Sequence, residues 1–179
     1  MSQKLLLSAQ EINIILQRLA CQLVENHKSF EHSVLIGIQP RGSYLATRLY
    51  SILKSDYNLH ALSYGKLDIT FYRDDFRRGD KVLKANETQI DFIVENKNVI
   101  LVDDVLFTGR SIRSALTALQ SFGRPSKIEL LTLIDRRFSR HLPIQPDYNG
   151  RKVDAINNEH VKVCWKEIDG EDAIYLLNN

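Results

Sequence analysis

Residues 99–111 read VILVDDVLFTGRS, and the fold follows from how this stretch changes character along its length. Val99, Ile100, Leu101 and Val102 form an apolar run short enough for a strand buried on both faces. Asp103 and Asp104 come at its carboxyl end. Val105, Leu106 and Phe107 then lead to Thr108, Gly109, Arg110 and Ser111: a hydroxyl, a residue without a side chain, a cation and a second hydroxyl. Directly afterwards Ile112, Ala115, Leu116, Leu119 and Phe122 fall on one face at the helical period, with Gly123 and Pro125 as stop signals. The first turn of a helix leaves backbone N–H groups without intrahelical partners and carries partial positive charge, so residues 108–111 form a phosphate cradle.

Two carboxylates beside a phosphate site repel the ligand unless they serve another part of it. Carboxylates accept hydrogen bonds from vicinal hydroxyls and attract a hard cation such as Mg²⁺. The implied ligand is a ribose 5-phosphate, its hydroxyls on Asp103 and Asp104 and its phosphate on the loop from Val105 to Ser111. The plain alternative, a strand-to-helix junction with a capping Thr and two solvated aspartates, leaves the acidic pair without a purpose.

Composition sets the outer bounds. A chain of 179 residues, 44% hydrophobic and 26% charged, fits one globular domain, residues 1–179, and disfavours disorder. No apolar run approaches the roughly 20 residues that span a bilayer, and the three leucines after Met1-Ser2-Gln3-Lys4 are too few for a secretory signal, so the chain reads as cytoplasmic. Cys21 and Cys164 lack metal or redox spacing and read as buried packing residues. A net charge of +2 does not by itself argue for nucleic acid.

The rest of the chain reads as α/β. Ser8 to Glu11 has capping-box spacing, and Ile12, Ile15, Leu16, Leu19, Leu23 and Val24 continue an amphipathic helix. Residues 34–38 form a short buried strand that turns through Gln39, Pro40, Arg41 and Gly42 into a helix bearing Tyr44, Leu45, Leu49 and Ile52. In that turn Gly42 lets backbone approach a ligand and Arg41 offers a forked cation suited to phosphate. Residues 59–64 and 66–71 read as two strands separated by Gly65, and 89–94 as a third. Between them, residues 72–87 are rich in charge without an apolar period, as a surface loop or a mobile lid is. Residues 127–134 form a strand ending at Asp135, Arg136 and Arg137, whose carboxyl end belongs near the others that carry the site. Residues 138–149 look irregular, with a lone exposed His141, and 161–165 and 173–177 read as closing strands, the latter on a sheet edge.

At residues 99–111 the chain resembles the type I phosphoribosyltransferases, whose motif for phosphoribosyl pyrophosphate (PRPP) is a hydrophobic run, two acids and a Thr-Gly turn. Within that family it is similar to the pyrimidine operon attenuation regulators that double as uracil phosphoribosyltransferases. It shares their GIxxRG turn from Gly37 to Gly42, the segment Asp68-Ile69-Thr70-Phe71-Tyr72-Arg73-Asp74-Asp75, and Leu142-Pro143-Ile144 followed by Asp147-Tyr148. The resemblance implies a central, mostly parallel sheet flanked by helices, with a flexible lid at about 72–87 and a small hood mainly within 136–179. It implies PRPP with Mg²⁺ and a pyrimidine base as substrates, and a homodimer or larger homo-oligomer. Gln39, Pro40, Arg41 and Gly42 then bind pyrophosphate, Asp103, Asp104 and Arg73 carry catalysis, and Asp135 and Arg136 contact the base. The metal has no ligand set of its own and travels with PRPP beside Asp103 and Asp104.

The lid, with Arg73, Asp74, Arg77, Arg78 and Lys81, closes over PRPP to exclude water from a reaction that develops positive charge at ribose C1. Purine-salvage relatives place an acid just before the Thr-Gly pair, where Phe107 stands here; an aromatic ring cannot manage a purine proton, which points to a pyrimidine. The other role implied is RNA attenuation, with Arg18, Lys28, Arg137, Arg140, Arg151 and Lys152 as a basic face. Cys21, Asn26, Phe138 and Gln145 depart from the family's basic pattern there.

Overall fold

The computed structural model describes residues 2–74, 85–155 and 159–178. Along the chain these form β1 (Ser2–Leu7), α1 (Ala9–His27), β2 (Ser33–Ile38), α2 (Arg41–Tyr57), β3 (Ser63–Leu67), β4 (Asn98–Leu106), α3 (Arg110–Leu119), β5 (Lys127–Arg137), β6 (Tyr148–Asp154), β7 (Glu159–Cys164), α4 (Lys166–Asp169) and β8 (Ala173–Asn178). The apolar run at 99–102 lies in β4, the middle strand of a parallel sheet ordered β3-β2-β4-β5-β6. Successive side chains of a strand point to opposite faces. Ile100 and Val102 enter the core shared with α1 and α2, while Val99 and Leu101 enter the core shared with α3. Each such aliphatic side chain contributes about 1.5–3 kcal/mol on burial, and a strand covered on both faces is held firmly in register.

α1 begins as its sequence requires. The Ser8 hydroxyl accepts from the Glu11 N–H and the Glu11 carboxylate accepts from the Ser8 N–H, closing the capping box. Ile12, Leu16, Leu19, Ala20 and Leu23 form its buried stripe. A second, antiparallel sheet, β1-β8-β7, stands beside the large one and places Val161, Val163, Trp165 and Ile174 in the α1/α2 core. Arg48 of α2 clamps it, pairing with Glu167 at 2.8 Å and Asp172 at 2.6 Å while lying 4.7 Å over the Trp165 ring.

Several local expectations change. Residues 59–71 hold one strand, β3, which runs through Gly65 and is followed by a 3₁₀ turn at Thr70–Tyr72. Gly65 lies opposite Ile36 of β2, so the pairing carries on through the glycine. Residues 89–94 form no strand: Gln89 makes one antiparallel bridge with Lys66, and the apolar residues Ile90, Phe92 and Val94 pack into the α3 core without a ladder. Asn149-Gly150 does not break the chain but lies in β6. A Cβ on Gly150 would stand 2.4 Å from the Leu133 carbonyl oxygen and 2.9 Å from Ile15, so this glycine serves close packing rather than a turn. β8 is the middle strand of its sheet, not an edge, because residues 2–7, read only as too short for a leader, supply its outer neighbour β1. Cys164 is buried as expected, whereas Cys21 is exposed on the outer face of α1.

Candidate active site

β4 continues to Leu106, because β5 beside it runs on to Arg137; Asp103 faces Thr132 and Leu106 faces Asp135 across the ladder. The acidic pair therefore sits inside the strand rather than after it, and its two members line different cavities. Asp103 opens on a cavity of about 210 Å³ with the Thr108–Ser111 loop. Asp104 opens on one of about 480 Å³ beneath the small sheet. Both carboxyls are buried and bond locally, Asp103 Oδ1 accepting from Asp104 N at 3.0 Å and Asp104 Oδ1 from Val105 N at 2.9 Å. Burial, then the charge of Asp104, raises the Asp103 pKa well above the usual carboxylate range. Burial also raises Asp104, against the opposing pull of Arg41. A buried acidic pair so short of compensation is suited to donors or a cation arriving with a ligand.

The phosphate loop has the geometry its residues suggest. Gly109 has φ 91°, a conformation costly for any side chain, and as the N-cap of α3 it offers no side chain to the helix start. Thr108 Oγ1 accepts from Arg110 N at 3.4 Å. The loop is braced from behind by a segment with no local signal in the sequence. The Thr108 carbonyl accepts from His141 N at 3.0 Å and Leu142 N at 3.3 Å, and Arg140 donates to the Phe107 carbonyl and to Asp135. Exposed His141 thus contributes its backbone, not its ring. At the cavity mouth Asp74 lies 3.1 Å from Arg113 and 3.6 Å from Arg110.

The second cavity gathers residues from both sheets. The Gln39–Pro40 peptide is cis, and the Gln39 amide donates to the Glu87 carbonyl at 2.7 Å. Arg41 lines the cavity with Asp104, but its guanidinium donates to the Val163 carbonyl at 2.6 Å and pairs with Asp169 at 3.1 Å. Gly42 also meets a packing demand of its own. A Cβ there would lie 2.6 Å from the Val102 carbonyl oxygen and 2.9 Å from Asp103 Cα, so the close approach is between α2 and β4 at the acidic pair. Asp135 and Arg136 are both buried. Asp135 is taken by Arg140, while Arg136 stacks with its Cζ 4.0 Å from the Phe107 ring centroid and donates to the Glu159 carbonyl at 2.9 Å. Arg73 lines both cavities. Arg77, Arg78 and Lys81 lie outside the described residues, as does most of the expected lid.

Three of the six basic residues share one groove. Arg137, Arg140 and Lys152 line a separate groove of about 500 Å³, where Arg137 pairs with Asp154 and Arg140 with Asp135. Arg18 donates to the Asn149 and Gly150 carbonyls, Arg151 to the Leu6 carbonyl, and Lys28 caps the carboxyl end of α1. Among the described residues no three His, Cys, Asp or Glu side chains are grouped to hold a metal, and no helix is long and apolar enough to cross a membrane. The sequence reading did not assign Val161 and Val163 to the second cavity. Their alternation marks a strand, and nothing near them in the chain ties it to β4.

Comparison with known proteins agrees with this geometry. Residues 2–168 match the family model described as Phosphoribosyl transferase domain. A "Bifunctional protein PyrR" from Desulfosudis oleivorans is 47% identical over 168 residues, covering 94% of this chain and 92% of the relative. Another, from Elusimicrobium minutum, is 46% identical, covering 98% and 97%. Among solved structures, a hypoxanthine phosphoribosyltransferase of Trypanosoma cruzi superposes with a TM-score of 0.73 at 18% identity, over 98% of this chain and 91% of that one. A hypoxanthine-guanine phosphoribosyltransferase of Bacillus anthracis does so with 0.71 at 18% identity over the whole of both chains. At that identity the structures establish the shared fold, while the family model and the sequence relatives establish descent: the chain belongs to the phosphoribosyltransferase family, among the bifunctional PyrR proteins.

Proposed function

We propose that the protein transfers the phosphoribosyl group of PRPP to uracil, forming UMP and pyrophosphate. The observation that carries this reading is the buried pair Asp103 and Asp104, set between a phosphate loop at the α3 N-terminus and a larger cavity walled by Phe107. The 5-phosphate lies on Thr108, Gly109, Arg110 and Ser111, and the ribose hydroxyls donate to the two carboxylates. N1 of uracil forms its bond to ribose C1 as the bond from C1 to the pyrophosphate oxygen breaks, and the N1 proton leaves. Positive charge develops at C1 in this step, and Asp103 and Asp104 stabilise it. Arg41, with Gln39, Pro40 and Gly42, faces the leaving pyrophosphate, and Arg73 and Asp74 stand at the mouth of the phosphate cavity. The acidic pair suits Mg²⁺ held jointly with PRPP oxygens, which when bound neutralises charge on the leaving group. Phe107, where purine-salvage enzymes carry an acid, supports a pyrimidine; the relatives named PyrR support the same choice. The protein on this reading is cytoplasmic, and the family resemblance implies a homodimer or larger homo-oligomer.

Pyrophosphate release from PRPP and Mg²⁺ with uracil, orotate, hypoxanthine, guanine and adenine in parallel tests the assignment. Selective turnover of uracil is expected, and turnover of a purine alone overturns it. The bifunctional relatives also favour a second role as a pyrimidine-responsive RNA attenuation regulator, with Arg18, Lys28, Arg137, Arg140 and Lys152 as the candidate contacts. RNA affinity that falls steeply with salt supports that role, and no binding at low salt removes it.

A further inference from the structure

The phosphate loop takes its shape from a segment that lies outside both ligand cavities. Between the end of β4 at Leu106 and the start of α3 at Arg110, the carbonyls of Phe107 and Thr108 are both held by residues 140–142. Arg140 donates to the Phe107 carbonyl, and His141 N and Leu142 N donate to the Thr108 carbonyl at 3.0 and 3.3 Å. In a planar trans peptide the N–H of the next residue points opposite to the carbonyl. The N–H groups of Thr108 and Gly109 are therefore turned away from residues 140–142, and neither has a hydrogen-bond acceptor among the described residues. Ile144 and Leu142 pack against the same loop: a Cβ on Gly109 would stand 3.2 Å from Ile144 Cδ1 and 3.4 Å from Leu142 Cβ.

A charge pair anchors this brace. Residues 138–147 lie between β5 and β6 and form neither helix nor strand, so individual contacts place them. Arg140 supplies two at once, donating from Nη2 to the Asp135 carboxylate and from Nη1 to the Phe107 carbonyl. Asp135 is buried on β5, opposite Leu106 of β4, so its partner sits where β4 runs out into the loop. A guanidinium is planar and rigid, and its two bonds together fix the direction of the Phe107 carbonyl against the end of the sheet. Arg140 and Asp135 line the outer groove and neither ligand cavity.

Resting on the PRPP reading above, we propose that Arg140 is a positioning residue for the phosphate loop, bridging Asp135 and the Phe107 carbonyl so that the Thr108 and Gly109 N–H groups point at the 5-phosphate of PRPP. It acts through the loop and touches no substrate. Asp135 serves Arg140 in this arrangement rather than the base.

The test is calorimetric binding of PRPP and of inorganic pyrophosphate, each with Mg²⁺, to the full chain and to variants at Arg140. Pyrophosphate occupies the leaving-group side and does not need the loop, so the two ligands separate loop geometry from general damage. Removing Arg140 alone leaves the buried Asp135 without its cation and destabilises the fold, whereas R140M/D135N removes both partners. In that variant PRPP affinity is expected to fall about 30-fold, as misdirected charge-assisted hydrogen bonds are lost, while pyrophosphate affinity stays within about 3-fold. PRPP affinity within about 3-fold of wild type, or an equal loss for both ligands, overturns the role of Arg140 and leaves the phosphoribosyl reading standing. If the double variant does not fold, R140K decides, since its ammonium keeps charge beside Asp135 but does not span both acceptors in one plane. A loss of PRPP affinity above about 5-fold with pyrophosphate binding kept then supports the proposal, and a smaller or shared loss overturns it. Absence of PRPP binding by the wild-type protein overturns the phosphoribosyl reading itself, and this inference with it.

Discussion

The contact between Gly42 and β4 predicts a mutant phenotype of calculable size. In Gly42→Ala the new methyl carbon would stand 2.6 Å from the Val102 carbonyl oxygen, 2.9 Å from Asp103 Cα and 3.1 Å from Asp103 Oδ1. Ordinary van der Waals contact begins at 3.4 Å, so the first distance has to open by about 0.8 Å. Both partners are backbone, and β4 is held by β2 on one side and β5 on the other. The first turn of α2 therefore moves away from the strand, carrying Arg41 with it, or Asp103 is displaced. Overpacking of this kind costs about 1–3 kcal/mol. Alanine's better helix propensity offsets less than about 1 kcal/mol of that. A net loss of about 1–2 kcal/mol lowers Tm by about 2–8 °C for a chain of this size. Misplacing a catalytic group by about 1 Å costs on the order of 100-fold in rate. Thermal unfolding and uracil-dependent pyrophosphate release, measured side by side on wild type and G42A, test both parts. A variant that melts within about 1 °C of wild type and turns over at full rate would refute the reasoning, since it would mean that α2 does not set the position of the acidic pair.

Two further outcomes follow from buried ionisable groups. Asp103 holds its proton to higher pH in the folded protein than in the unfolded chain, so between those two pKa values the native state carries more protons and stability falls as pH rises. D103N is accordingly expected to melt higher than wild type at pH 7, with the difference vanishing toward acid pH, and to lose turnover; a lower Tm at pH 7 or unchanged kinetics contradicts this. His27 is shifted the other way, its pKa lowered because burial outweighs the nearby Glu129 at 2.8 Å; Lys127, paired with Glu129 at 2.6 Å, adds to the lowering. The unfolded chain takes up the proton first as pH falls, so urea midpoints should drop below the ordinary histidine range near 6.5. H27Q should flatten that part of the profile, and an identical pH slope in the variant would show that another group is responsible.

The parts of the fold legible in the sequence are those in which one local pattern has one structural solution. The apolar run at 99–102 could be buried only as a central strand, and Ser8 with Glu11 could only start a helix. Gly109 before Arg110 and Ser111 could only open a turn into α3. What the sequence concealed depends on partners far along the chain. Asn149-Gly150 carries a turn signal, yet the carbonyl of Leu133 and the side chain of Ile15 need a glycine there, and the pair lies in β6. Ile90, Phe92 and Val94 alternate like a strand, and the α3 core takes them without a ladder. The candidate phosphate loop and acidic pair were readable because they occupy one unbroken stretch. The second cavity was readable only in part: Phe107 and Arg136 are picked out from the sequence, but Val161 and Val163 reach the same cavity from β7.

The arginines, too, have partners far along the chain. Counted in the sequence, Arg18, Arg137, Arg140 and Arg151 look like cations available to a polyanion. In the fold each has a structural partner: Arg18 the carbonyls of Asn149 and Gly150, Arg137 the carboxylate of Asp154, Arg140 Asp135 and the Phe107 carbonyl, Arg151 the Leu6 carbonyl. Arg18 and Arg151 donate to neutral carbonyl acceptors, whereas Arg137 and Arg140 are matched by carboxylates. A phosphate recruiting Arg140 has to take it from Asp135 and from the Phe107 carbonyl. Releasing Arg140 therefore frees both the Asp135 carboxylate and the carbonyl of Phe107, the residue whose ring carries the Arg136 guanidinium.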